Sequence, residues 1–195
     1  MTAESDAADT KFSFSRNRPG GARAGRIGEM LRVDHAGEYG AVQIYRGQRA
    51  VFDNLPHKAP TAELLREMED GEAGHLSTFD RLLAERHVRP TVFSPIWNIA
   101  GFGLGAATAL MSEKAAMACT AAVEEVIERH YAEQAQELAG VDDDLAEIVR
   151  EFREDELGHK ETAEDHGARE APGYGLMKAV IQSGCRLAIR LSEKF

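Results

Sequence analysis

Apolar residues recur at spacings of three and four along most of the chain, and proline, glycine and capping residues divide that pattern into long helical segments. The first runs from about Ile27 to Phe52 and stops at Asp53-Asn54-Leu55-Pro56. A second runs from about Thr61 to Val88, ahead of Arg89-Pro90. Ser94-Pro95 reads as an N-cap followed by proline at the first helical position. Ser112 caps a third long helix that ends at Gly140, and Asp144 with Glu147 three residues on forms a capping box for a fourth, reaching about Gly167. After Ala171-Pro172-Gly173 a last helix takes the chain to Phe195. No stretch alternates with a period of two, so strands are not expected.

Between Arg89 and Glu113 lie 23 residues without a charge, among them Ile96, Trp97, Ile99, Phe102, Leu104, Leu110 and Met111. The length meets the threshold for a transmembrane span. Pro90, Pro95, Asn98 and the glycines at 101, 103 and 105 interrupt it, however, and a span here would separate the two helix pairs across the bilayer. A buried or membrane-contacting crossover is the better reading. Four long helices joined midway by an extended connection describe an all-α, ferritin-like four-helix bundle. Two antiparallel hairpins flank a long hydrophobic crossover, and a C-terminal amphipathic helix follows. Residues 1–26, rich in Gly, Ser, Ala and Arg, read as a mobile arm, and 27–195 as one domain. The first ten residues carry Glu4, Asp6 and Asp9 and no apolar run, so neither a secretory signal nor an intact transit peptide is expected.

The polar residues inside the apolar stripes carry the chemistry. On the second helix Leu64, Leu65, Met68, Leu76, Phe79, Leu82 and Leu83 form the inward face, and Glu72 and His75 fall within it. The fourth repeats this: Leu145, Ile148, Val149 and Phe152 lead into Glu156 and His159. Each pair is Glu-x-x-His, which puts both side chains on one helix face. The first helix carries Glu38 among Ile27, Leu31, Val42, Tyr45 and Phe52. The third carries Glu124 among Met117, Thr120, Ile127, Tyr131 and Leu138, with Glu125 rotated about 100° off the stripe.

Burying a carboxylate in an apolar core is costly unless it is paired or bound to a metal. Four such Glu and two His occupy these stripes with no Lys or Arg among them. Each half of the chain is a Glu helix followed by a Glu-x-x-His helix, the ligand pattern of di-iron and di-manganese carboxylate bundles. Two Glu-x-x-His matches alone are unremarkable; their placement and the matched upstream Glu select Glu38, Glu72, His75, Glu124, Glu156 and His159 as metal ligands. Oxygen-rich ligation with two imidazoles suits iron or manganese better than zinc or copper. Glu72 and Glu156 are the expected bridges, Glu38 and Glu124 the terminal ligands. Asp34 is a candidate to orient a ligand imidazole, or else a capping or surface residue. His35 and His166 are candidates for the surroundings of the ligands or for satisfied helix histidines, His57 reads as a solvated loop residue, and His87 as a helix-end residue favoured by the C-terminal dipole.

Charge adds a membrane to the picture. The chain has 23 Lys+Arg and 33 Asp+Glu, a net charge of −10, which argues against a nucleic-acid partner. Residues 1–28 and 171–195 together hold nine basic and four acidic residues, leaving 14 basic and 29 acidic in 29–170. The last helix sets Leu176, Met177, Val180, Ile181, Leu187, Ala188 and Leu191 against a stripe of Lys178, Gln182, Arg186 and Arg190. That is a basic amphipathic helix suited to an anionic bilayer, or an amphipathic helix packed on its own bundle. Cys119 and Cys185 form no CxxC pair, which excludes a disulfide scaffold and suggests a reducing compartment. No GxGxxG fingerprint occurs, which excludes a separate nicotinamide-binding domain.

The strings LRVDHAGEYGAVQIYRGQ (31–48), RPTVFSPIWNIAGFGLGAATAL (89–110), AMACTAAVEEVIERHY (116–131) and APGYGLMKAVIQSGCRLAIRLSEKF (171–195) closely resemble the demethoxyubiquinone hydroxylases of ubiquinone biosynthesis. The resemblance covers Arg26 to Phe195. It implies two iron ions on the six ligands named above, dioxygen as co-substrate, and hydroxylation of a polyprenyl methoxy-methyl-benzoquinol in the penultimate step of ubiquinone synthesis. It further implies electrons from NADH or the quinol itself, and His130, Tyr131 and Arg186 as a relay for electrons or protons. DELGHKE (155–161) departs from many relatives in having Gly158 and Lys160 where an acid and a second His are usual. Its substrate implies peripheral contact with a membrane, at the cytoplasmic face of a bacterial inner membrane or, failing that, the matrix face of the mitochondrial one. Partner proteins of ubiquinone synthesis and a homo-oligomer are compatible with this reading. A ferritin-like iron store and a non-catalytic membrane adaptor are the alternatives.

Overall fold

Ser112 ends one helix and starts the next: its N–H bonds the carbonyl of Thr108, and its hydroxyl accepts the N–H of Ala115. The computed structural model describes residues 21–195, with side chains from residue 24. The helices are α1 (Gly21–Phe52), α2 (Ala59–Arg86), α3 (Ser94–Met111), α4 (Glu113–Leu138), α5 (Asp143–Asp165) and α6 (Tyr174–Lys194). Short 3-10 turns at Pro56–Lys58 and Ala168–Glu170 precede α2 and α6, and there is no strand among the described residues. The protein is therefore an all-α helical bundle.

Three boundaries differ from those read off the sequence. Residues 1–20 of the expected arm lie outside the described residues, but 21–26 belong to α1. Arg26 anchors this extra turn, pairing with Glu137 at 2.9 Å and with Glu29 and Glu193 at 3.3 Å. The cap of α5 is Asp142 rather than Asp144, because the Asp142 side chain is the one that accepts the Leu145 N–H. At the start of α3, Phe93 holds the N-cap position, while the Ser94 hydroxyl turns back to donate to the Thr91 carbonyl.

Helices α1 and α2 form one hairpin, α4 and α5 the other. Two apolar layers fill the bundle. One gathers Tyr45, Phe52, Leu65, Met68 and Met117; the other gathers Ile27, Leu31, Phe79, Leu82, Leu138, Leu145, Val149 and Phe152. Glu38, Glu72, Glu124 and Glu156 fall between these layers in sequence on all four helices, and all are buried.

The crossover is a full helix laid along α1. Gly101 and Gly105 are buried there, and a Cβ on Gly101 would come within 2.8 Å of the Gly40 carbonyl oxygen. Glycine is what permits two helix backbones to touch in this way. Helix α6 packs on α4 and α1 through Ile181 and Met177. The start of α3 and the end of α6 are tied together. Val92 N–H and the Thr91 hydroxyl both donate to the Phe195 carbonyl, and Trp97 Nε1 donates to Ser192.

Candidate metal centre

Helical spacing delivers each ligand pair: three residues on, His75 and His159 return to the face of Glu72 and Glu156. Two groups of potential ligands result, each with its ligand atoms within 4.8 Å of one another: Glu38, Glu72, His75 and Glu156; and Glu72, Glu124, Glu156 and His159. Glu72 and Glu156 belong to both, as bridging residues would. His75 Nδ1 lies 3.6 Å from Glu38, 3.7 Å from Glu72 and 3.4 Å from Glu156. His159 Nδ1 lies 2.9 Å from Glu72 and 3.8 Å from Glu156. All six residues selected from the stripes thus converge.

Whether the donor set fits a metal depends on which of its buried atoms lack partners. Both oxygens of Glu72 and of Glu156, one oxygen each of Glu38 and Glu124, and Nδ1 of both histidines are buried without a hydrogen bond. Such atoms are normally satisfied, so a buried set of this size fits a divalent cation pair.

A model of the family described as ubiquinone biosynthesis protein COQ7 matches residues 25–192. The chain belongs to the COQ7 family. It is 46% identical over 173 residues to the mouse NADPH-dependent 3-demethoxyubiquinone 3-hydroxylase, mitochondrial, covering 87% of this chain and 78% of that one. It is 46% identical over 171 residues to the 3-demethoxyubiquinol 3-hydroxylase of Rhodospirillum rubrum, covering 88% and 79%. It is 38% identical over 189 residues to the 5-demethoxyubiquinone hydroxylase, mitochondrial, of Saccharomyces cerevisiae, covering 89% and 80%.

Around the ligands this COQ7 member has a layer that stripe counting did not reveal. The Tyr45 hydroxyl donates to Glu124 at 2.6 Å, and the Tyr131 hydroxyl donates to Glu38. Each tyrosine sits seven residues after the glutamate of its own helix and holds that of the opposite hairpin. Their spacing was visible, but an aromatic on an apolar stripe reads as core. His75 Nε2 is 3.1 Å from Asp155 Oδ2 and its ring stacks on Phe152, with centroids 3.9 Å apart. The carboxylate within hydrogen-bond distance of His75 is thus Asp155 rather than Asp34. Asp34 instead accepts from Gln134 at 2.7 Å. His35 pairs with Asp80, and His166 bonds its own helix at Thr162, so neither reaches the centre.

Of the expected relay residues, Tyr131 touches the cluster directly. His130 Nε2 lies 2.9 Å from Gln134 and 3.6 Å from Asp34. Arg186 stands apart: it is exposed on α6 and its described side-chain hydrogen bond is to Ser183. Glu125 points away from the cluster and pairs with Lys178 at 2.5 Å and Arg129 at 3.2 Å.

Electrostatics explains how the cluster tolerates burial. Burial, reinforced by neighbouring carboxylates, pushes Glu38 and Glu124 well above the usual carboxylate range. Burial acts against Glu72 as well, yet the neighbouring imidazoles of His159 and His75 outweigh it and hold that carboxyl at about 2. Burial disfavours the charged imidazoles, but Glu156 and Glu72 overcome it and raise His159 to about 9; His75 is raised further by Glu156 and Glu38. Protons take up the negative charge of the cluster, and a divalent cation competes for the same atoms.

Proposed function

We propose that this chain is an oxygen-dependent di-iron hydroxylase acting on the ring of a polyprenyl methoxy-methyl-benzoquinol while docked on a membrane. The observation that carries the reading is the set of buried, unpartnered oxygen and nitrogen atoms on Glu38, Glu72, His75, Glu124, Glu156 and His159. These residues would hold two iron ions, Glu72 and Glu156 bridging and Glu38 and Glu124 terminal. When bound, the irons supply the one-electron chemistry that activates dioxygen for transfer of one oxygen atom to the ring. The chain's own part is positional. Tyr45 and Tyr131 steady the terminal carboxylates, Asp155 steers His75, and the apolar layers above and below keep water from the reacting atoms. Tyr131, bonded to Glu38, and His130, beside Gln134 and Asp34, support the relay reading. Exposed Arg186 supports at most a role at the surface end of it. The mouse relative has NADPH in its name, and a nicotinamide cofactor is the electron donor we expect here.

No helix among the described residues is long and apolar enough to cross a membrane. Docking is supported by the outer faces of α3 and α6. Ile99 is 77% exposed and Leu176 75%, beside Ile96, Phe102, Leu110 and Met111 on α3 and Val180 and Leu187 on α6. Exposed apolar side chains gathered on the outer faces of two helices are a feature of interaction sites, and a polyprenyl tail gains about 0.8 kcal/mol for each CH₂ kept from water. Arg186 and Arg190 flank it as exposed charges, whereas Lys178 is turned inward by Glu125. The test is expression of the chain in a hydroxylase-deficient strain with quinone profiling by mass spectrometry, alongside anaerobic metal analysis of the pure protein. Restored ubiquinone and two irons per chain are expected. Continued accumulation of the demethoxy precursor, or one metal or none, would overturn the proposal.

A further inference from the structure

The two halves of the centre repeat each other closely. Glu38, Tyr45 and Gln48 of α1 recur 86 residues later as Glu124, Tyr131 and Gln134 of α4. Each tyrosine holds the opposite glutamate, and each glutamine reaches across as well, Gln48 to Thr120 and Gln134 to Asp34. Glu72 and His75 recur 84 residues later as Glu156 and His159. The carboxylate ligands and their tyrosine partners are therefore alike in both halves.

The histidines are not. His75 is fixed twice over, by the Phe152 ring against its face and by Asp155 on its Nε2. The residues that repeat Phe152 and Asp155 on α2 are Met68 and Gly71. Gly71 offers His159 no carboxylate; a Cβ there would lie 3.5 Å from His159 Cε1 and Nε2, an ordinary contact. The His159 side chain is 18% exposed against 7% for His75. A carboxylate on the distal nitrogen fixes the tautomer that leaves the ligand nitrogen free, and losing such a partner typically weakens metal binding by about 10- to 100-fold.

Resting on the metal-centre reading above, we propose that the two metal positions are unequal. The position of Glu38 and His75 is preorganised by Asp155 and Phe152 and fills first. The position of Glu124 and His159, open at Gly71, fills second and exchanges its ion more readily. Asp155 is thus a positioning residue for one ion of the pair.

The test uses the full metal-free chain, titrated anaerobically with Co(II) and followed by visible absorption and calorimetry. Two steps separated by about 10- to 100-fold in affinity are expected. Asp155→Asn should weaken the first step towards the second, and Gly71→Asp should strengthen the second. Glu154→Gln removes an equal, exposed charge from the same helix and should move both steps together. Two equal steps in the parent protein, or an Asp155→Asn shift no larger than that of Glu154→Gln, would overturn the inequality while leaving the centre intact. Failure to take up two ions would instead overturn the metal-centre reading.

Discussion

Replacing Gly105 by alanine should damage the metal centre without touching it. A Cβ there would stand 2.8 Å from the carbonyl carbon of Ile44 and 3.0 Å from its Cα, and nearer still to its carbonyl oxygen. Carbon atoms prefer about 3.5–4.0 Å, so α1 must retreat from α3 by roughly 1 Å. The obstacle is backbone, which cannot swing aside as a side chain would. Overpacking of this sort costs about 1–3 kcal/mol, against which the helix gains up to about 1 kcal/mol from exchanging glycine for alanine. Gly103, two residues away on the outer face, has nothing within 4 Å of its would-be Cβ. Gly103→Ala should therefore collect only the gain. For a chain of this length the pair should straddle the parent, Gly105→Ala melting lower and Gly103→Ala higher by about 2–4 °C per kcal/mol. The displaced segment carries Tyr45, adjacent to Ile44, so its bond to Glu124 should slip and metal affinity should fall in Gly105→Ala alone. Thermal melts and Co(II) titrations of both variants decide it. Equal melting temperatures, or equal metal affinities, would refute the account of α3 as a helix whose backbone rests on α1.

Three further outcomes are expected. Glu124→Ala should abolish uptake of one or both metal ions, while Glu125→Ala should keep both and cost under about 1 kcal/mol, because Glu125 makes only partly exposed pairs with Lys178 and Arg129; metal analysis and melts separate the two. His159 is raised from 6.5 to about 9, so its contribution to the metal-free protein is complete below pH 6.5 and lost as pH rises through 9, at about 1.4 kcal/mol for each pH unit crossed. Metal-free protein should thus melt lower at pH 9 than at pH 6.5 while metal affinity rises, and a flat profile would contradict this. Ile99→Glu with Leu176→Glu should lower sedimentation with liposomes and leave the melting temperature within error, since both side chains face outward.

Periodicity identifies a helix face, and for this chain that was enough to pick out six residues that converge in the fold, because a carboxylate within an apolar stripe is anomalous on its own helix. It does not identify what a face meets. Tyr45 and Tyr131 belong to the stripes and pass for core until their hydroxyls are seen on glutamates of the opposite hairpin. Asp155 is the converse: one residue before Glu156 puts it about 100° round the helix, on a solvent edge where 57% of its side chain is exposed, and nothing about an exposed acid suggests a ligand's support. Lys178 belongs to the basic stripe by spacing, yet Glu125 on α4 draws it inward. The glycines of 101–105 interrupt an apolar run and count in the sequence only against a transmembrane span, whereas the use of Gly101 and Gly105 is to let α3 touch α1. In each case the missing information is the partner across a helix–helix gap, which depends on how the helices are set against one another. The same limit hides the inequality of the two histidines. In sequence, Gly71 and Asp155 are two unremarkable residues before two identical motifs, and only the seating of α2 against α5 makes one a partner and the other a gap.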